Sequence, residues 1–199
     1  MQIGLFGGTF DPIHLGHVDM INQLCEQMQL DKVVFIPSYI PPHKHKAHMT
    51  SYRDRLAMTK LAVAEEPHFE VSTYESEQET PSYTYHTVLH FSDIYPDDVL
   101  YYIVGVDAFN DIETWYRWRD LLQMVQFIVI DRPGRKLFMS EETKKIVHQS
   151  AYDVHHLALH TLPVSSTMVR QRLQAKESVA GCLAPAVQNY IEKHQLYEW

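Results

Sequence analysis

Residues 7–17 read Gly7-Gly8-Thr9-Phe10-Asp11-Pro12-Ile13-His14-Leu15-Gly16-His17, and the run joins two stretches of unlike periodicity. Before it, Gln2–Phe6 is short and apolar and reads as a buried strand closed by the paired glycines. After it, Val18, Ile21, Leu24, Cys25 and Met28 recur at helical spacing, which predicts a helix from about Leu15 to Met28. Paired glycines let a backbone turn sharply and approach a ligand without Cβ interference. A helix starting next to that turn directs its free amides at whatever occupies it. His14 and His17, three apart at the helix start, can turn both rings towards one phosphate. The bland alternative is a plain strand–turn–helix connection with a solvated histidine pair. It suits a bare glycine pair better than this string, in which each position suits a phosphate turn.

Outward from the turn the alternation continues. Lys32–Ile36 reads as a second strand ended by Pro37, followed by a loop and a helix near Ser51–Glu65. Val99–Val104 and Gln126–Ile130 are β-branched and aromatic strands, with helices expected over Tyr83–Tyr95 and Trp118–Met124. Ser140–Gln149 reads as helix, His156–His160 as a last strand, and Ser166–Ala175 and Pro185–His194 as closing helices. Strands alternating with helices imply an α/β fold: a doubly wound, mostly parallel sheet with helices on both faces. The 199 residues fit one domain, with a C-terminal helical part at about 163–199. Such sheets bind ligands beyond the carboxyl ends of their strands, where the winding reverses.

Composition narrows the class. Hydrophobic residues make up 45% and charged residues 21%, ordinary for a globular protein. No apolar run reaches a membrane span, and the N-terminal residues lack a basic region leading into a long apolar stretch. The two cysteines, Cys25 and Cys182, have no metal-ligand spacing, so a reducing cytoplasm is the expected setting. A net charge of −8 without a basic block speaks against a nucleic-acid binder, yet leaves room for a nucleotide site built from a few local cations and amides. The 13 histidines invite a metal reading, but His14 and His17 find no convincing partner ligands, and no metal site is expected.

Four further strings fall on the same predicted rim. Pro37-Ser38-Tyr39-Ile40-Pro41-Pro42-His43-Lys44-His45-Lys46 is a proline-stiffened basic loop whose cations can meet a phosphate monoester; alone, such a loop is more often a solvated turn. Pro81-Ser82-Tyr83-Thr84 opens a helix, where exposed amides and the Thr84 hydroxyl suit a carboxylate, although Ser82 as a simple cap also explains it. Val104-Gly105-Val106-Asp107 ends a strand and suits a ribose. Trp115 offers a flat stacking face, and Arg132 brings a cation. In Val164-Ser165-Ser166-Thr167-Met168-Val169-Arg170, hydroxyls open a helix and Arg170 follows one turn later, able to clamp the same phosphate group; an ordinary capped amphipathic helix is the alternative.

The His14-Leu15-Gly16-His17 element resembles that of the His-x-Gly-His nucleotidyltransferases, an element also found in class I aminoacyl-tRNA synthetases. In this order, the five strings resemble the bacterial nicotinate mononucleotide adenylyltransferases over nearly the whole chain. The ending Val187-Gln188-Asn189-Tyr190-Ile191 and Leu196-Tyr197 is similar to that family's last helix and tail. Ser38 stands where many relatives have asparagine, and Val164 where isoleucine is common. The resemblance implies a Rossmann-like fold and AMP transfer from ATP to nicotinate mononucleotide. It places His14, His17 and Arg170 in catalysis. Nucleotide binding falls to Gly8, Thr9, Phe10, Gly105 and Asp107, with Ser165, Ser166 and Thr167 at the phosphates. The acceptor falls to Ser38, His43, Lys44, Thr84, Trp115 and Arg132. Mg²⁺ is expected to arrive with ATP, without a dedicated protein cage. A homo-oligomer is compatible with the sequence. The competing readings are a sister enzyme using nicotinamide mononucleotide or phosphopantetheine and, further off, a non-catalytic nucleotide-binding protein.

Overall fold

The computed structural model describes residues 1–40, 49–78, 81–132 and 134–198. Six strands form one sheet: β1 (Gln2–Gly8), β2 (Lys32–Pro37), β3 (Phe69–Val71), β4 (Val99–Gly105), β5 (Gln126–Ile130) and β6 (Val154–Leu157). Their spatial order is β3-β2-β1-β4-β5-β6, and every neighbouring pair is parallel. The helices are α1 (Leu15–Met28), α2 (Tyr52–Val63), α3 (Thr84–Ile94), α4 (Val106–Asn110), α5 (Trp118–Leu121), α6 (Glu141–Gln149), α7 (Ser166–Gln174) and α8 (Pro185–Lys193). This is the expected α/β, Rossmann-like arrangement. The winding runs outward from β1 to β3, returns to β4 beside β1, and then proceeds the other way to β6. The carboxyl ends of β1 and β4 therefore flank a switch point, where loops diverge and a cleft opens.

Strand alternation decides which core each side chain joins. Along β4, Leu100, Tyr102 and Val104 face one layer, with Val88 and Phe91 of α3 and Phe109 of α4. Tyr101 and Ile103 face the other, with Ile21 and Leu24 of α1, Met58 of α2, Val169 of α7 and Ile191 of α8. Burial on both faces is what apolar strands such as Lys32–Pro37 and Gln126–Ile130 require. Each fully buried Ile, Leu or Phe side chain contributes roughly 1.5–3 kcal/mol. Serine hydroxyls cap α2, α6 and α7: Ser51 accepts from Asp54 N–H at 3.2 Å, Ser140 from Thr143 N–H at 3.0 Å, and Ser165 from Met168 N–H at 3.2 Å. Pro185 occupies the first turn of α8, where a missing N–H costs nothing.

The sequence reading needs four corrections. The last strand is Val154–Leu157 rather than His156–His160, because its register is set by β5, with Phe127 opposite Val154 and Ile130 opposite Leu157. The three-residue strand β3 was not expected at all. Nor was α4, five residues long, which begins directly after Gly105. The helix expected over Trp118–Met124 stops at Leu121.

Candidate functional site

A cleft of about 1090 Å³ opens at the carboxyl ends of β1 and β4. Every site residue expected from the sequence and lying among the described residues lines it, from Gly8 and His14 on one side to Thr84 and Trp115 on the other. His43 and Lys44 lie outside the described residues.

His14 is the N-cap of α1, with an extended backbone (φ −141°, ψ 166°), and His17 sits one turn in. The rings stack with centroids 3.6 Å apart. The His14 N–H donates to Nδ1 of His17 at 3.3 Å. Because Nδ1 of His17 accepts, the proton of the neutral ring belongs on Nε2, which becomes the donor left for a ligand. Phe10 meets this ring edge-on at 5.4 Å and Phe6 at 6.0 Å, so its orientation is held by packing. Burial pulls the pKa of His14 down to about 4, with Arg132 adding to the effect. Burial, His14 and Arg132 hold His17 well below the usual imidazole range. Both rings are therefore neutral near pH 7 and act as N–H donors. His14 Nδ1 is buried and has no hydrogen-bond partner among the described residues.

The backbone of α1 contributes less than its glycine turn suggested. The Leu15 amide donates to Cys182 O at 2.8 Å and the His17 amide to His14 O at 2.9 Å. The donors left facing the cleft at this helix start are therefore chiefly the imidazoles. Gly16 has a steric reason: a Cβ there would come within 3.1 Å of His14 Nδ1. At Gly8 a Cβ would fall 2.7 Å from the ring of Phe10. Phe10 itself has φ +49° and is 3% exposed, with its ring packed into the core beside the cleft.

The α7 start closes the cleft from the other side. Ser166 Oγ donates to Pro12 O at 2.9 Å, and Arg170 Nη1 donates to Asp11 O at 2.6 Å. Arg170 Nη2 also lies 3.3 Å from Thr167 Oγ1. Of the three hydroxyls, Ser165 is spent on capping and Ser166 on the turn, while Thr167 meets Arg170 and has no backbone partner among the described residues. At the end of β4, Asp107 is shared between Arg132 (3.3 Å) and Arg135 (3.0 Å), an ion-pair cluster in which Arg135 was not foreseen. A smaller adjoining space of about 540 Å³ runs past Arg132 between Leu159 and Pro163.

At the opposite end, Tyr83 is the N-cap of α3 and makes no side-chain cap bond. The amides of His86 and Thr87 are taken by Tyr83 O, but those of Thr84 and Tyr85 lie in the first turn, where a helix offers no acceptor. Thr84 Oγ1 donates to the hydroxyl of Tyr102 at 3.3 Å. Tyr102 meets Trp115 edge-on at 6.1 Å, and a Cβ on Gly7 would strike its hydroxyl at 2.6 Å. Burial pushes the Tyr102 phenol up to about 12, so it stays protonated. Glu75, 7% exposed, accepts from Tyr39 N–H (3.3 Å) and Thr87 Oγ1 (3.1 Å), tying the loop after β2 to α3. Burial raises its pKa against these donors. Sequence reasoning missed Tyr102 and Glu75. The alternation along β4 could have pointed to Tyr102; nothing local marks Glu75.

Among the described residues no group of three or more His, Cys, Asp or Glu side chains is placed to hold a metal ion, and no helix is long and apolar enough to cross a membrane.

With this geometry in hand, the chain was compared with known proteins. It matches the cytidylyltransferase-like family over residues 5–172. It is similar to the nicotinate-nucleotide adenylyltransferase of Bacillus subtilis, at 37% identity over 99% of this chain and 98% of the relative. Its fold is similar to that of the Plasmodium falciparum nicotinic acid mononucleotide adenylyltransferase complexed with NaAD. The TM-score is 0.78 at 20% identity, over 99% of this chain and 97% of that one. A second structure of that protein, complexed with APC, gives a TM-score of 0.76 at 19% identity, over the same shares of the two chains.

Proposed function

The chain belongs to the cytidylyltransferase-like family, among its nicotinate-nucleotide adenylyltransferases, and on that premise we propose a division of labour along the cleft. The reaction joins the AMP part of ATP to nicotinate mononucleotide, giving deamido-NAD and pyrophosphate, a step of NAD biosynthesis. The observation that carries the assignment of roles is the stacked His14–His17 pair at the switch point, neutral and fixed in tautomer, opening onto the same cleft as Thr84 and Trp115.

The acceptor phosphate is already anionic and attacks the α-phosphorus of ATP in line, so no general base or covalent nucleophile is required. The protein's part is positioning and neutralisation of charge. His17 Nε2–H donates to an α-phosphate oxygen, with His14 beside it. Charge building on that oxygen strengthens both bonds and raises the imidazole pKa values back towards their ordinary range. Arg170 and Thr167 hold the β- and γ-phosphates that leave as pyrophosphate. Gly8 and Thr9 contact nucleotide through backbone, Gly105 permits close approach of the ribose, and Asp107 reaches its hydroxyls when its arginines yield. The adjoining space between Leu159 and Pro163 suits the adenine. ATP enters as its magnesium complex, the ion held by phosphate oxygens. Trp115 stacks on the pyridine ring, the Thr84 and Tyr85 amides take its carboxylate, and Ser38, His43, Lys44 and Arg132 attend the acceptor phosphate. The same reading places the enzyme in the cytoplasm.

The test is pyrophosphate release with ATP and either nicotinate mononucleotide or its amide. A carboxamide would point an N–H at a helix-start donor, leaving a buried donor unpaired at about 1–3 kcal/mol, or roughly 5- to 150-fold in kcat/KM. Equal efficiency with the two acceptors would refute the acid-specific assignment to α3.

A further inference from the structure

Behind the phosphate turn lies a buried polar assembly that the reaction itself does not consume. Tyr197, beyond α8, is 0% exposed, and its hydroxyl donates to Asp11 Oδ1 at 2.7 Å. Asp11 Oδ2 accepts from Thr50 N–H at 3.4 Å. Arg55 of α2, also 0% exposed, donates to Thr50 O at 3.1 Å and to Thr9 O at 2.6 Å. With Arg170 on Asp11 O and Ser166 on Pro12 O, three carbonyls of residues 9–12 are bound by side chains from α2 and α7. The turn is thus held from behind, with its carbonyls engaged by cations and a hydroxyl.

Asp11 is the junction of this assembly. Its carboxylate is gripped by the tail, and its own carbonyl grips Arg170, the guanidinium that lines the cleft. Moving the carboxylate moves the peptide, and with it the cation. Tyr197 reaches this point from a left-handed backbone (φ +69°), a conformation that costs an L residue energy. The docking of α8 does not depend on the bond, because Tyr190 separately donates to Asp54 Oδ1 at 2.9 Å and Val187 and Ile191 are buried.

We infer that Tyr197 is a positioning residue for the nucleotide: by holding Asp11 it fixes the carbonyl that aims Arg170 at the leaving phosphates. The inference rests on the proposed nucleotide reading of the cleft. It makes the C-terminal tail a working part of the site, although Tyr197 does not itself line the cleft.

The test is Tyr197→Phe, which keeps the buried ring and deletes the hydroxyl, with Asp11→Asn as the second variant should the first fail to fold. Titration calorimetry with magnesium-ATP alone should show binding weakened about tenfold. Steady-state kcat/KM for ATP should fall by a similar factor, while KM for nicotinate mononucleotide stays within about twofold of wild type. Asp11→Asn should behave alike, and in the double variant the losses should not multiply. A lowered melting temperature with ATP binding and both KM values within about twofold of wild type would reduce Tyr197 to a structural residue and overturn the inference. Equal rises in the two KM values would overturn it too. If the wild type bound ATP but did not use the mononucleotide, the proposed function would fail, and the calorimetric arm would still decide the role of Tyr197.

Discussion

Replacing His17 by alanine removes three things whose magnitudes can be separated. The first is the Nε2–H donor proposed for the α-phosphate, and loss of one preorganised donor costs roughly 10²–10³ in kcat. The second is the ring, which packs at 5.4 Å against Phe10 and at 3.6 Å on His14; emptying that space costs roughly 2–5 kcal/mol of stability. The third is the acceptor for the His14 N–H, worth about 1 kcal/mol. The stability terms lower the melting temperature but do not enter kcat well below it. The donor term does. Two amide variants isolate it, since glutamine carries its N–H close to where imidazole Nε2 lies, and asparagine close to Nδ1. His17→Gln should therefore recover about tenfold in kcat over His17→Ala, and His17→Asn almost nothing. Pyrophosphate release at saturating ATP and acceptor, well below each variant's melting temperature, measures this. A kcat for His17→Ala within about tenfold of wild type, or equal losses for Gln and Asn, would refute the tautomer argument.

Trp115→Ala should weaken the acid and amide acceptors alike, by roughly 1–2 kcal/mol in kcat/KM, because stacking does not read the pyridine substituent; a change of more than about threefold in their ratio would contradict this. Acid should destabilise the fold through His14. Its folded pKa of about 4 lies below the unfolded value of 6.5, so its contribution is full above about pH 6.5 and is lost as pH falls towards 4. Between about pH 7 and pH 5 that amounts to about 2 kcal/mol, with His17 acting in the same direction. Urea unfolding of wild type and His14→Gln at the two pH values should show a correspondingly shallower dependence in the variant, and identical slopes would count against it.

The strand–turn–helix opening was legible because two independent signals coincide there: paired glycines, and a short apolar run that gives way to helical spacing. β4 and β5 were legible from β-branched runs buried on both faces. β3 was not, because three residues, Phe69–Val71, are too short to display a period. β6 was misplaced because its histidine-rich sequence has no strong local preference, and pairing with β5 decides where it lies. The residues that line the cleft were legible wherever they stand in contiguous strings, as at His14–His17 and Ser165–Arg170. What depends on contacts made only by folding was illegible. Arg55 reaches Thr9 across 46 residues and Tyr197 reaches Asp11 across 186, and neither carries a local mark.

The helix starts fit the division of the cleft proposed above. Of the helices with nine or more residues, α2, α6 and α7 begin with a serine cap and α8 with a proline. α1 and α3 begin instead with aromatic residues, His14 and Tyr83, and both open onto the cleft. At α1 the Leu15 and His17 amides are taken by Cys182 O and His14 O, so the proposed recognition passes to imidazoles, whose hydrogen bonds would strengthen as charge grows on a phosphate oxygen. At α3 Tyr83 O takes the His86 and Thr87 amides, and the Thr84 and Tyr85 amides of the first turn are proposed for a carboxylate whose charge does not change during the reaction. Donors that respond to developing charge belong where the bond is made and broken. Rigid donors belong where the substrate must only be recognised. The division follows from differential binding, since contacts of constant strength select the acceptor, and contacts that tighten in the transition state accelerate its attack.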